Sequence, residues 1–408
     1  MMADMQRARL IAGELPKFGW EAEILAPDAS FQTDFSRVQG EGLAFPEVPV
    51  HEVAQWQPDF FRRVGSRNIG IRAAVPVGRA GFELLRAKHF DAVYFSTTQH
   101  WITCNGARWS QRTGVPYIAD LHDPVYLEKK VYFVSRHRLK ERIAEHLGKT
   151  IDRLALGRAD GLVSVSPGYI EDVGQRHPQA PWRRNSCMLV QPFPADLAAI
   201  DAAAGRSSGE SRALRIVYIG AGGNIMENGW RELLSCLKGE DLPAGLHIDL
   251  FGTDTNWLQN RRRYLQDIAD ESGLRGVVHE DPARISYRAS LAMTMDAEGL
   301  LVLGVDDRNY RPSKLQTCIA SGLPLLVLMR ADSALCQTLE QAGPGVHVVK
   351  FGGGAADHDS NRVALRTFMA DVAQKRRQPR SERLFLTPQD AAEEHAALFN
   401  RVLEARKK

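Results

Sequence analysis

A short run in the carboxy-terminal half has the residue types and order needed to bind an anion. Pro312 suits the first turn of a helix, where a missing N–H costs nothing, and Ser313 and Lys314 follow it. Free backbone N–H groups and the positive end of a helix dipole favour negative charge there, and a hydroxyl and an ammonium group add to it. The pattern predicts a diphosphate site, although an ordinary capped helix has the same pattern.

A second group of polar residues follows two predicted strands, 91–95 and 115–119. The loops after these strands carry Thr98, His100, Asp120, His122 and Asp123. Ligands of open α/β sheets gather beyond the carboxyl ends of the strands, so these loops are site candidates. A histidine between two carboxylates can hold or move a proton near neutral pH, which makes His122 and Asp123 candidate catalytic residues. The alternative is a turn in which the aspartates cap backbone N–H groups.

A glycine-rich loop, Gly220-Ala221-Gly222-Gly223, follows the first predicted strand of the second half. Glycines let the backbone approach a phosphate or a sugar closely. The loop is neither a Walker motif nor a complete G-x-G-x-x-G fingerprint. Gly252 and Glu280 follow later strands and are expected at the same edge of the sheet, where turn formation alone also explains them.

The elements that must position these residues alternate between strands and helices. In the second half, strands are predicted at 214–219, 246–251, 276–279, 299–303, 323–328 and 345–349. In the first half, strands are predicted at 21–25, 47–53, 91–95, 115–119, 161–165 and 187–190. Such alternation implies parallel sheets with helices on both faces, so the predicted fold class is α/β, with two Rossmann-like, doubly wound domains facing across a cleft.

The predicted domain boundary is the small, polar stretch 202–212. It separates an amino-terminal domain (1–205) from a second domain (212–385), and a final helix (386–408) is expected to pack back toward the first domain. The chain opens with a predicted helix at 5–18, whereas an α/β domain normally opens with a strand and a glycine-rich turn. Either the start is truncated or the domain manages without that strand.

The run P-S-K-L followed by A-S-G-L-P-L-L, residues 312–326, resembles the donor-side signature of GT-B glycosyltransferases, especially the family 4 group. The resemblance implies transfer of a sugar, with retention at the anomeric carbon, from a nucleotide-diphosphate sugar. The acceptor would be a glycan or a lipid-linked molecule, in surface polysaccharide or glycoconjugate synthesis. No permanent cofactor and no metal are expected for the chemistry.

Carried onto this chain, the resemblance implies a donor side and an acceptor side. The donor side would consist of Gly220, Ala221, Gly222, Gly223, Gly252, Glu280, Asn309, Tyr310, Arg311, Ser313, Lys314 and Thr317. The acceptor side would consist of Thr98, His100, Asp120 and His122, with His122, Asp123 and Lys314 in catalysis.

The chain departs from the family at several of these positions. Asn309 and Thr317 stand where the family has glutamates, and Ala221 and Asn228 stand where it has cations. Lys314 or Arg311 would therefore have to hold the diphosphate. Three alternatives stay open: a sugar-nucleotide epimerase, a non-catalytic relative that acts as a partner subunit, and a nicotinamide-dependent oxidoreductase, which the incomplete glycine fingerprint disfavours.

Composition sets outer limits on these hypotheses. The 408 residues are 44% hydrophobic, which is ample for two cores, and a formal charge of +3 does not favour a nucleic-acid binder. Five scattered cysteines without a C-x-x-C pair predict a reducing compartment and no structural zinc. We expect a cytoplasmic protein. The basic stretch 129–142 is a candidate peripheral membrane contact on the inner face, or simply a solvated helix face.

Overall fold

The structure is a computed structural model that describes residues 3–28, 46–54, 69–125, 138–204, 214–254 and 262–408. These residues form two compact units. The first unit contains the described residues before Phe193 together with Pro388–Lys408, and the second contains those within Phe193–Thr387. The division thus falls after Pro192, earlier than the stretch 202–212 proposed from the sequence. One reason is that the Tyr287 hydroxyl donates a 2.7 Å hydrogen bond to Asp196, which ties the segment after Pro192 to the second unit.

The first unit contains two separate parallel sheets among its described residues. Its strands are β1 Ile24–Pro27, β2 Val50–Val53, β3 Val93–Ser96, β4 Tyr117–Leu121, β5 Gly161–Ser164 and β6 Met188–Val190. β1 pairs with β2, and the other four follow the order β3-β4-β5-β6. In the Rossmann order, the strand ahead of the first helix lies between the second and fourth strands. The two sheets of this unit are separated between β1 and β3, which is where that strand would lie. No strand precedes the first helix in the described residues.

The helices of this unit cover the sheets and differ from the predictions at their ends. They are α1 Ala3–Ala12, α2 Ile69–Ala87, α3 His100–Thr103, α4 Asn105–Thr113, α5 Arg138–Ala155, α6 Pro167–Arg176, α7 Pro181–Arg184 and the C-terminal helix Pro388–Lys407. The single helix predicted at 5–18 is wrong, because α1 ends at Ala12 and a 3₁₀ turn with Pro16 at its start follows. Gly19, with φ of 79°, closes that turn.

The second unit is built on one six-stranded parallel sheet. Its strands are β7 Leu214–Ile219, β8 Leu246–Phe251, β9 Val278–Asp281, β10 Gly299–Leu303, β11 Leu325–Arg330 and β12 Val346–Phe351. Their spatial order is β12-β11-β10-β7-β8-β9, which is the Rossmann order read from the far edge. The predicted α/β fold class is confirmed. β7, β8 and β10 lie at the predicted residues, and the other three lie one or two residues further along.

Helices cover both faces of this sheet. They are α8 Leu197–Ala204, α9 Glu227–Leu237, α10 Tyr264–Glu271, α11 Tyr287–Met295, α12 Leu315–Ala320, α13 Leu335–Glu340 and α14 Ala355–Ala373. The core on one face centres on Trp230 and Phe368, and the core on the other includes Leu315 and Met329. Five consecutive residues of β11 are buried, as the apolar run there predicts for a central parallel strand.

Two further findings concern membranes and cysteines. None of the helices in the described residues combines the length and the apolar character needed to cross a bilayer. All five cysteines are free thiols. The basic stretch 129–142 lies outside the residues whose side chains the structure describes, so the proposed membrane contact stays a prediction.

Candidate functional site

The strand order of the second unit reverses between β7 and β10, and the loops after these strands carry the predicted anion-binding residues. In open α/β sheets, ligands bind beyond the carboxyl ends of the strands at such a reversal. We call residues 220–223, 252–254 and 304–314, which follow β7, β8 and β10, the switch-point rim. The rim brings the predicted glycine loop and Lys314 together, although they lie far apart in sequence.

Hydrogen bonds of the sheet continue into the rim and hold two of its loops. The Gly220 N–H donates to the Phe251 carbonyl at 2.9 Å, and the Gly222 N–H donates to the Thr253 carbonyl at 2.9 Å. A Cβ at Gly222 would lie 2.7 Å from the Thr253 Cβ, so this close approach requires glycine. The expectation that all of the loop's N–H groups would serve a diphosphate needs correction, because those of Gly220 and Gly222 already have partners.

Tyr218, which the sequence analysis did not single out, supports the glycine loop from the core side. Its side chain is buried in the core, and its hydroxyl donates a 2.5 Å hydrogen bond to the Ala221 carbonyl. Burial raises the pKa of this phenol well above its usual value, so the hydroxyl keeps its proton as a donor. The contact fixes the shape of a loop that contains three glycines.

Lys314 reaches back over this loop. The helix predicted to begin at Pro312 begins at Leu315 and has only six residues, so Lys314 is its N-cap and Ser313 precedes it. The Lys314 amine lies 5.3 Å from the centroid of the Tyr218 ring, and a Cβ at Gly220 would come within 2.7 Å of it. Since so short a helix has a small dipole, the positive character of the rim comes from side chains instead.

Lys314 and Arg311 are cations in the last four residues of the rim. Among the described residues, neither Lys314 nor Arg311 forms an ion pair, and burial lowers the pKa of both. Burial, with added repulsion from Arg284, brings the pKa of Lys314 to about 8. Arg284 is a further residue that the sequence analysis missed. It lies against Gly252, and its Nε donates to the Asp254 carbonyl at 3.2 Å. Lys314, with Arg284 near enough to repel it, is suited to bind a ligand with several negative oxygens.

Glu280, expected to contact the donor, is occupied elsewhere. One of its carboxylate oxygens accepts 2.9 Å hydrogen bonds from the N–H groups of Leu265 and Gln266, at the start of α10. The other oxygen accepts a hydrogen bond from the Thr253 hydroxyl. Burial raises the pKa of Glu280. The residue therefore caps α10 and braces the rim at Thr253.

The remaining donor-side predictions fall into two places. The Asn309 N–H bonds to the Asp307 carboxylate at 2.8 Å in a tight turn of the rim, and Tyr310 packs against the core that contains Tyr218. Thr317 lies within α12, where its hydroxyl accepts a 3.3 Å hydrogen bond from the Asp196 N–H. The structure thus keeps Asn309 and Tyr310 with the rim and directs the Thr317 hydroxyl toward Asp196.

The predicted acceptor side belongs to the first unit and is built around a buried carboxylate. Asp120 forms a 2.8 Å ion pair with the Arg7 guanidinium, and neither side chain is exposed. The same carboxylate accepts hydrogen bonds from His122 Nε2 at 2.7 Å and from the Tyr94 hydroxyl at 2.5 Å. Burial alone would raise the pKa of Asp120, but Arg7 and His122 outweigh it and hold the pKa well below the usual value. Asp120 is thus an ionised anchor that fixes the His122 ring.

Other groups converge on the same strand ends. His100 is buried, burial lowers its pKa to about 4, and the Asp123 backbone forms a hydrogen bond with it. Asp123 itself is exposed, unlike His122. Thr98 lies in the preceding loop, where its hydroxyl accepts from the Gln99 amide at 3.4 Å. The structure therefore brings His100, His122 and Asp123 together, with one buried imidazole held by a carboxylate and one carboxylate facing solvent.

In a comparison with protein families, residues 6–184 match the glycosyl transferase 4-like domain. This stretch contains the predicted acceptor side. No curated protein matches the chain in sequence.

Solved structures share the overall fold at low sequence identity. One is Alr3699/HepE from Anabaena in complex with UDP-glucose, with 14% identity, a TM-score of 0.52, and coverage of 98% of this chain and 93% of that one. A glycosyltransferase from Rickettsia africae gives 9% identity, a TM-score of 0.53, and coverage of 98% and 95%. An α,α-trehalose-phosphate synthase (UDP-forming) from Burkholderia vietnamiensis has 12% sequence identity and a TM-score of 0.52. The match covers 95% of this chain and 98% of that one. These likenesses establish the GT-B fold.

Proposed function

We propose that this chain, which has the GT-B fold, transfers a sugar from a nucleotide-diphosphate sugar to a glycan or lipid-linked acceptor. The proposal includes a hexosyl donor, retention at the anomeric carbon and a role in surface polysaccharide or glycoconjugate synthesis. The observation that carries it is the Lys314 amine, which forms no ion pair within the described residues. It lies against Gly220, where the strand order of the second unit reverses.

The donor diphosphate would lie on the switch-point rim beside Lys314, with Arg284 and Arg311 as further cations. Negative charge grows on the departing diphosphate as the glycosidic bond breaks, and fixed cations in a water-poor setting stabilise that charge. Two of these cations are anchored in the rim: the Lys314 amine lies over the Tyr218 ring, and the Arg284 Nε donates to the Asp254 carbonyl at 3.2 Å. Asn309 and Tyr310, in the same rim, would contact the sugar or the nucleoside.

The acceptor would be handled by the first unit through His122 and Asp123. Asp120 holds the His122 ring by Nε2, so the ring presents a fixed orientation, and the exposed Asp123 carboxylate is accessible to an acceptor hydroxyl. A carboxylate or imidazole that takes the proton of that hydroxyl assists its attack on the donor. Arg7 would act as a positioning residue, since it holds Asp120 and not the acceptor.

The first experiment measures nucleotide binding by titration calorimetry with UDP, GDP, ADP and dTDP. We expect at least one of them to bind the full-length protein, and the variant Lys314→Gln to bind it about 10- to 100-fold more weakly, as for a lost charged contact. Lys238→Gln, a change at an exposed lysine of the same unit, should leave the Kd unchanged. Equal affinities of the two variants would contradict the assignment of Lys314.

A second experiment separates an enzyme from a non-catalytic partner subunit and from an epimerase. The purified protein is incubated with a nucleotide-diphosphate sugar that contains the nucleotide found to bind, and the products are followed by NMR. Slow donor hydrolysis with release of nucleoside diphosphate is expected, and the configuration of the freed sugar before it mutarotates reports retention. Binding without any hydrolysis would favour the partner-subunit alternative, and an altered sugar still bound to nucleotide would favour the epimerase.

A further inference from the structure

Three side chains with different ligand atoms converge on the second unit, away from the switch-point rim. Glu232 and Cys236 lie one turn apart on α9, and His358 lies in the first turns of α14. The Glu232 Oε1 is 3.0 Å from the His358 Nδ1 and 3.7 Å from the Cys236 Sγ. The Cys236 Sγ is 3.8 Å from the same His358 nitrogen. The three atoms therefore form a small triangle.

The size of this triangle matches the ligand spacing of a tetrahedral metal ion. Zinc binds a histidine nitrogen or a carboxylate oxygen at about 2.1 Å and a cysteine sulfur at about 2.3 Å. With tetrahedral angles, such bonds place the nitrogen and oxygen about 3.4 Å apart and the sulfur about 3.6 Å from each. The observed distances of 3.0, 3.7 and 3.8 Å lie within a few tenths of an ångström of these values.

The surroundings of the triangle orient its carboxylate and leave it accessible. Asn361 is buried, and its amide donates a 2.8 Å hydrogen bond to the Glu232 Oε1 and another to the Lys350 carbonyl. Such an outer partner holds a ligating carboxylate in place. The neighbouring Arg362 is neutralised by Glu240, at 2.6 Å. His358 is partly exposed, so an ion can reach the group from solvent.

We propose that Glu232, Cys236 and His358 form a binding site for a borderline divalent metal ion, best suited to Zn²⁺, with water as the fourth ligand. The mixed oxygen, sulfur and nitrogen set at tetrahedral spacing favours this class of ion over Mg²⁺ or Ca²⁺, which take oxygen ligands. The thiolate is the form of cysteine that binds the metal, so the incoming ion displaces the Cys236 thiol proton to solvent. The bound ion would clamp α9 to α14.

Cobalt provides a probe that reports sulfur ligation directly. The full-length protein, freed of metal with a chelator, is titrated with Co²⁺ while absorption from thiolate-to-cobalt charge transfer and from the visible d–d bands is recorded. We expect one saturable equivalent. Cys236→Ser should abolish the charge-transfer band, and His358→Gln should weaken binding by roughly tenfold or more. Cys336→Ser and His89→Gln, which change a cysteine and a histidine outside the group, should titrate like the unaltered chain.

Zinc and thermal unfolding give a second readout that needs no nucleotide. Zn²⁺ should raise the Tm of the unaltered chain and of both control variants, and should leave the Tm of Cys236→Ser and His358→Gln unmoved. Circular dichroism confirms that each variant is folded. Absence of a thiolate band in the folded, unaltered chain, or a band that persists in Cys236→Ser, would overturn the proposal and would leave the donor-site assignment untouched.

Discussion

The charge of Lys314 is the property on which the donor side depends most. Its amine lies between the Tyr218 ring and the Gly220 backbone without a carboxylate partner among the described residues, and burial lowers its pKa to about 8. A folded-state pKa below the unfolded value means that the charged amine costs stability below pH 8, and that this cost is relieved as the pH rises toward 10.5. A bound diphosphate has the opposite effect, because its negative charge stabilises the charged form of the Lys314 amine.

The first prediction follows from this linkage. The affinity for the nucleoside diphosphate should fall about tenfold between pH 8 and pH 9.5, because the free amine loses its proton over that range. Lys314→Arg keeps its charge throughout and should bind with an affinity that barely changes. Calorimetric titrations at several pH values check this, and a flat profile for the unaltered chain would mean that Lys314 does not hold the phosphates.

A second prediction concerns the buried pair in the first unit. Asp120→Asn leaves the Arg7 guanidinium buried without its counter-charge, so the free energy of unfolding should drop by about 3–5 kcal/mol. Asp91→Asn, a change at an exposed aspartate of the same unit, should change it by less than about 0.5 kcal/mol. Urea unfolding at pH 7.5 measures both. Similar values for the two variants would show that Asp120 is not the anchor of the network.

The switch-point rim is held in shape by hydrogen bonds between neighbouring secondary-structure elements. These contacts were only partly predictable from the sequence. The glycine loop and its place after a strand follow from the sequence, since an apolar run that ends in glycines is a strong signal. The bonds from Gly220 and Gly222 to the next loop do not follow, because they join segments about thirty residues apart. Arg284 was missed for the same reason, since it bonds the Asp254 carbonyl thirty residues away. Tyr218 lies only three residues before Ala221, but the sequence indicates no more for it than a place in a buried strand.

The third prediction tests the fit between this loop and Lys314. Gly220→Ala introduces a Cβ 2.7 Å from the Lys314 amine and 2.7 Å from the Tyr218 hydroxyl, so both side-chain ends must shift. Nucleotide affinity should fall about tenfold. The free energy of unfolding should also fall, by about 1–3 kcal/mol, because the Tyr218 ring is buried in the core and cannot move aside freely. Gly354→Ala, at a glycine with open space around it, is the matched control. If Gly220→Ala bound the nucleotide with unaltered affinity, Lys314 would not be in contact with the ligand.

At the scale of the whole molecule, strand alternation in the sequence predicts the α/β class and the parallel sheet of the second unit. Hydrophobic runs locate the strands, because a strand buried on both faces must be apolar throughout. The limits of α1 and the late start of α12 at Leu315 were not predictable, since capping and tertiary packing decide where short helices begin. The two separate sheets of the first unit agree with the absence of a strand ahead of α1 in the part of the chain that the structure describes.

The metal group shows a different limit of sequence reasoning. From the sequence, no structural zinc is expected, because the cysteines lack paired spacing. The zinc site proposed above does not have that spacing: Cys236 lies four residues from Glu232, and His358 lies 126 residues from Glu232 and meets it only through helix packing.

The most direct test of the central claim locates the bound donor on the chain. Hydrogen–deuterium exchange is measured with and without the nucleotide sugar that binds, chosen from UDP-glucose, GDP-mannose, ADP-glucose and dTDP-glucose. We predict that protection concentrates in peptides that cover the switch-point rim, residues 220–223, 252–254 and 304–314, and that Lys314→Gln loses it. Saturating binding that protects other segments and leaves the rim exchanging as before would contradict the assignment of the donor to this edge of the sheet.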